Sequence, residues 1–144
     1  MKPEETIDHP IRWAWHRIMR RYNEQAAVHG GSMSIGYALL NIDPEGTPST
    51  KLGPKMGMEA RSLTRTLKNM EEKCLTKRAP DNTDGRMIRI FLTPEGKRMR
   101  DISKAAVIRF NETVQANIPA RELVAFHDVM HKINALLDKK DLFK

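Results

Sequence analysis

The chain has 144 residues and a net charge of +7 at neutral pH, a length that favours one domain with a buried core. One cysteine excludes an internal disulfide and fits a reducing cytoplasm, the polar start Met1–Thr6 lacks the apolar centre of a signal peptide, and no apolar run is long enough to span a membrane. Residues 51–100 hold 13 Lys+Arg against 6 Asp+Glu, so the whole positive excess lies there and a polyanion is the natural partner. A negatively charged membrane surface competes for that role, but no strongly basic amphipathic end supports it.

Asp8 is expected to cap a first helix that carries Pro10 in its opening turn. Ile11, Trp15, Ile18, Tyr22 and Ala26 form its apolar stripe, and Gly30-Gly31 ends it. Ser34 is expected to start a second helix with Ile35, Ala38, Leu39 and Ile42 turned inward. The run Asp43-Pro44-Glu45-Gly46-Thr47-Pro48 reads as a linker within the domain. Ser49 then caps a helix that contributes Leu52 and Met56, while Pro54 removes a backbone donor and, with Gly53, shortens or distorts it.

Residues 57–96 are the most informative stretch. After Gly57, Ala60, Leu63, Leu67, Met70 and Cys74 recur at helical spacing as one buried stripe. At ~100° per residue, Arg61, Ser62, Arg65, Lys68 and Asn69 land on the opposite face. Those side chains grip phosphate and read base edges. Arg61 and Arg65 are the base-edge candidates, Ser62 and Asn69 supplementary contacts, and Lys51, Lys55 and Lys68 the phosphate candidates. Alone, such a face is usually only solvated. The hairpin that follows strengthens the reading: β-prone Leu75–Arg78 and Met87–Leu92 flank Ala79–Gly85, which is dense in turn residues. Ile88, Ile90 and Leu92 alternate onto one face, and Arg86 at the tip can reach a minor groove or a phosphate beside the helix.

Thr93 caps a long helix with Pro94 at its first position, its stripe running Met99, Ile102, Ala106, Phe110 and Val114. Pro119 marks the start of the last helix, in which Leu123, Phe126, Met130, Ile133 and Leu137 make a narrow coiled-coil-like seam. Seams of this length are often intramolecular core, but a first and two last helices cannot easily bury all these stripes on one small reading module, and pairing two chains solves the problem. No internal repeat or low-complexity tract occurs.

This order resembles the multiple-antibiotic-resistance-regulator (MarR) family of winged helix-turn-helix repressors. The residues that carry the resemblance are Leu63-Thr64-Arg65-x-Leu67 in the reading helix, Asp84-x-Arg86 in the wing, and Leu92-Thr93-x-x-Gly96. It implies a mainly α fold with a small β-hairpin wing in a single domain, 1–144. The winged helix-turn-helix would span 33–93, and the dimerisation helices 8–30 and 94–140. The implied function is that of a homodimeric, cytoplasmic, sequence-specific transcription regulator, neither an enzyme nor a cofactor protein. It would repress from a pseudo-palindromic duplex operator and be released by a small aromatic or amphiphilic effector. Thr64 joins the DNA-binding set through this resemblance. Trp13, Trp15, His16, Met19 and Tyr37 can line an effector pocket, although core packing explains Trp15 and Met19 equally well.

Two rival readings remain. A winged-helix module can bind protein or RNA through the same positive face. His127 and His131, one helical turn apart in His127-Asp128-Val129-Met130-His131, have the spacing of a metal pair and would suit a metal-responsive regulator. The run looks like the zinc-hydrolase word His-Glu-x-x-His, but Asp128 stands where that word has its base Glu and no third ligand is evident. Two histidines flanking a dimer seam is the simpler explanation. Cys74, on the buried stripe, reads as a structural thiol. No phosphate-cradling glycine loop, catalytic triad or carboxylate pair occurs.

Overall fold

The computed structural model describes residues 1–144 in full. After a short 3-10 turn at Pro3–Glu5 come helices α1 (Asp8–Ala27) and α2 (Met33–Asn41), strand β1 (Thr47–Pro48), and helices α3 (Ser49–Met56) and α4 (Ala60–Glu72). Strands β2 (Thr76–Pro80) and β3 (Ile88–Leu92) follow, then helices α5 (Pro94–Asn117) and α6 (Ala120–Leu137). Two compact units result, residues 1–106 and residues 107–144, with α5 running from one into the other. No helix is long and apolar enough to cross a membrane.

The core belongs to the first unit. Ile35, Ala38, Leu39 and Ile42 from α2 meet Leu52 and Met56 from α3 and Leu63, Leu67 and Met70 from α4. Leu75, Ile90, Leu92 and Met99 close it from the hairpin and the start of α5. The inward residues expected of α2, α3 and α4 are buried, except Ala60 and Cys74, which are exposed. The reason for Cys74 is local: α4 stops at Glu72, and Cys74 takes a left-handed φ of 58°. The Leu75 amide donates to the Met70 carbonyl and the Cys74 amide to the Glu71 carbonyl, both at 2.9 Å, which is a Schellman ending that turns the thiol outward.

Helix starts differ from expectation by one or two residues. Ser32, not Ser34, caps α2, because its extended backbone lets Oγ accept from the Ile35 amide. A second acceptor, Asn23 Oδ1 on α1, takes the Met33 amide at 2.9 Å and ties the two helices together. Asp8 and Ser49 are first residues of their helices rather than caps; Ile7 and Pro48 precede them. The Asp8 carboxylate pairs with Arg12 instead. Pro54 is accommodated within α3, which is only two turns long and ends at Gly57 with a left-handed φ of 66°.

The expected hairpin forms, and the expected linker supplies a third strand. β1 pairs with β3 antiparallel (Thr47 with Ile90, Pro48 with Arg89), and β2 pairs with the other side of β3, giving the order β1-β3-β2. A two-residue strand ending in proline has no alternation to read. Within β3, Ile90 and Leu92 are buried but Ile88, toward the tip, is 39% exposed, because the hairpin projects beyond the core.

Elsewhere apolar side chains are left in solvent. α1 buries no residue, and Ile11, Trp13 and Trp15 are exposed along it. α6 buries none either. Of its expected seam, Leu123, Met130 and Ile133 are half-buried and Phe126 and Leu137 exposed, together with Val124 and Val129.

Candidate nucleic-acid interface

α3 and α4 are brought close by small residues and a tight turn. A Cβ on Gly53 would lie 3.3 Å from Leu63 Cδ2, so the two helices cross with little to spare. The Met58 amide donates to Gly53 O at 3.0 Å and Gly57 supplies the left-handed turn. Glu59, extended, leads into α4, whose first turn contains no acidic residue. Leu63, Leu67 and Met70 hold α4 to the core.

Its other face is open. Arg61, Ser62, Thr64, Arg65, Lys68 and Asn69 are all exposed. The Thr64 hydroxyl donates back to Ala60 O at 2.8 Å, leaving its lone pairs outward. The positive charges of residues 51–100 then sort into two sets. Arg78 grips Glu71 bidentately at 2.6 and 2.9 Å, and Arg98 does the same with Glu95. Both carboxyls are held below their ordinary range by the hydrogen bond from that arginine. Lys73 donates to Gly30 O, and Lys55 to Asn41 O at 2.8 Å and Asp43 Oδ1 at 3.2 Å. By contrast, Lys51, Arg61, Arg65, Lys68 and Arg86 make no side-chain hydrogen bond or ion pair within the chain. Lys55, expected at a phosphate, is therefore engaged as a tether between α3 and the end of α2. The five unpaired cations lie at the start of α3, on the open face of α4 and on the wing tip; Lys77 on β2 and Lys97 and Arg100 on α5 likewise make no such bond.

The wing tip is organised by a residue that the sequence reading did not single out. Asp81 Oδ2 accepts from the Thr83 hydroxyl at 2.7 Å and from the amides of Thr83 and Asp84 at 3.2 and 3.1 Å; Oδ1 accepts from Arg89 Nε at 2.7 Å. The Thr83 hydroxyl first, then Arg89 and the Asp84 amide, hold the Asp81 carboxyl far below the usual carboxylate range. Asp84 Oδ1 accepts from the Arg86 amide at 3.0 Å, which fixes the backbone of the exposed arginine. The available signal was Asp-x-Thr, an Asx-turn start inside a turn-rich run. Arg89, an outward cation on a strand, offered no such signal.

The remaining candidates do not gather. Trp13, Trp15 and His16 are exposed on α1, Met19 is half-buried there, and Tyr37 is exposed on α2. His127 and His131 are exposed on α6, His127 lying edge-on to Phe126 with ring centroids 5.4 Å apart. No third donor joins them, since no group of three His, Cys, Asp or Glu side chains converges anywhere in the chain.

No established family profile matches the sequence. The HTH-type transcriptional regulator SarZ of Staphylococcus epidermidis is 30% identical over 101 residues, covering 67% of this chain and 68% of SarZ. The solved MepR–DNA complex of S. aureus superposes with a TM-score of 0.82 at 16% identity, covering 90% of this chain and 97% of MepR. CouR of Rhodococcus jostii RHA1, solved with p-coumaroyl-CoA bound, gives a TM-score of 0.80 at 21% identity over 92% of this chain and 94% of CouR.

Proposed function

Because the chain belongs to the MarR family of winged-helix transcription regulators, we propose that it acts as a homodimeric, sequence-specific repressor on duplex DNA in the cytoplasm. The observation that carries this reading is the open face of α4, where Arg61, Ser62, Arg65, Lys68 and Asn69 stand exposed over a back anchored in the core. Such a helix enters a major groove with its N-terminal residues leading, so Arg61 and Arg65 read base edges, assisted by Ser62, Thr64 and Asn69. Lys51 and Lys68 take phosphates, and Arg86 reaches the flanking minor groove. MepR, of like fold, is solved on DNA. The exposed apolar residues of α1 and α6 are the surface a second copy would cover.

Release by a small aromatic or amphiphilic effector completes the proposal. It is supported by the likeness to CouR, solved with an aromatic acyl thioester bound, and by the aromatic side chains that α1 and α2 present.

Selection of preferred duplexes from a random pool tests the reading. The expected winner is an inverted repeat with half-sites about 10 bp apart, because two readers on one face of the duplex are separated by about one helical turn. Winners without two-fold symmetry would overturn the dimeric reader. Stronger retention of RNA or of an acidic protein than of any duplex would favour the rival partner class.

A further inference from the structure

The Asp81–Arg89 pair is the least exposed ion pair in the chain, with side-chain exposures of 7% and 28%. Arg89 does more than neutralise Asp81, since its Nη1 donates to Gly46 O at 2.9 Å across β1. Gly46 allows that approach: its φ is +89°, and a Cβ there would sit 2.6 Å from Phe91 Cε1 and 2.9 Å from Arg89 Cδ. From Gly46 the polar contacts continue inward. The Gly46 amide donates to Asp43 O at 2.9 Å, Thr47 Oγ1 accepts the Asp43 amide at 2.9 Å, and Lys55 of α3 holds Asp43 Oδ1. From Asp81 they continue outward through Asp84 to the backbone of Arg86. Helix α3 and the wing tip are thus joined by an unbroken series of hydrogen bonds, several of them charge-assisted.

We infer that Arg89 and Asp81 are positioning residues for Arg86, the middle members of a strut that sets how far the wing arginine stands from the reading helix. This rests on the duplex-binding reading above. A hairpin projecting into solvent loses conformational freedom when its tip docks on DNA, and ordering it beforehand removes part of that cost. Lys55, at the inner end, then serves the same strut rather than a phosphate.

The full-length protein would be titrated against its selected inverted repeat, with A·T-rich or G·C-rich flanks. Wild type is expected to favour A·T flanks about three-fold or more, since a narrow minor groove concentrates negative potential. Arg89→Met, which keeps the stem and removes the donors, should erase that preference while changing affinity for the G·C-flanked duplex about two-fold or less. The double variant Arg86→Ala/Arg89→Met should lose no more preference than either single change, because both act through one contact. Should Arg89→Met not fold, Asp81→Asn carries the same expectation.

Retention of the flank preference by Arg89→Met or Asp81→Asn would overturn the strut. So would additive losses with Arg86→Ala, or a wild type indifferent to its flanks. These results differ from failure of the duplex-binding reading, in which no symmetric duplex is selected at all.

Discussion

Gly96 and Leu75 touch through their backbones: a Cβ on Gly96 would overlap the Leu75 carbonyl oxygen. Around that point Thr93 Oγ1 donates to Cys74 O at 2.6 Å and accepts from the Gly96 amide at 3.0 Å, so the start of α5 is locked to the end of the reading-helix turn. The Leu92-Thr93-x-x-Gly96 word is thereby a joint, with Thr93 as a two-way cap and Gly96 as the clearance. Gly96→Ala forces two backbones apart and should cost about 1–3 kcal/mol or more. A lower urea midpoint with an unchanged denaturant slope would report it.

Cys74 makes the opposite prediction. A side chain at φ 58° is strained where a helix ending of this kind favours glycine. Cys74→Gly should stabilise the chain by about 1 kcal/mol, seen as a rise in melting temperature. No rise would mean that the thiol makes a compensating interaction.

In the proposed function, base reading and phosphate grip separate on α4. Arg65→Ala should cost about 1–3 kcal/mol on the selected duplex and far less on random DNA. Lys68→Ala should weaken both alike and lower the salt slope by roughly one unit. Equal losses on both duplexes for Arg65→Ala would remove it from base reading.

On α6, Phe126 and Val129 are 55% and 51% exposed in the single chain. If α6 pairs two copies as proposed, the double change Phe126→Asp/Val129→Asp would set charges in a desolvated interface, weakening association by several kcal/mol. Sedimentation should show a folded monomer, because neither residue belongs to the core. An intact dimer would place the interface elsewhere.

The Asp81 carboxyl predicts a pH window. A carboxylate whose folded pKa lies below its unfolded value of 3.8 stabilises fully above that value and loses the contribution as pH falls toward the folded one. Wild type should therefore exceed Asp81→Asn in urea resistance at neutral pH, with the gap closing below about pH 4. A gap that stayed constant down to about pH 3 would assign the difference to packing rather than charge.

The helices were legible because their signals repeat. Leu63, Leu67 and Met70 return every three or four residues, and the exposed face of α4 follows from that spacing alone. The wing was legible from alternation and turn composition. What escaped lacked a repeat. β1 is two residues long, and Arg89 gains its partners from Gly46 and Asp81, far apart in sequence. Ser32 and Ser34 both offer a capping hydroxyl, and only backbone geometry chooses between them: Ser32 is extended, whereas Ser34 lies inside α2. Cys74 lies two residues past the end of α4, where helical spacing no longer sets which way a side chain faces.

The sheet order β1-β3-β2 leaves two rims, and each rim strand contains a proline: Pro48 on β1 and Pro80 on β2. Proline offers no N–H to an incoming strand, and the exposed Lys77 on β2 repels another copy of itself. A hairpin that stands clear of the core, as the proposed contact with DNA requires, is also a natural template for strand addition and polymerisation. Here both rims are blunted, so the wing can protrude without recruiting the wings of other molecules, even where copies are crowded together.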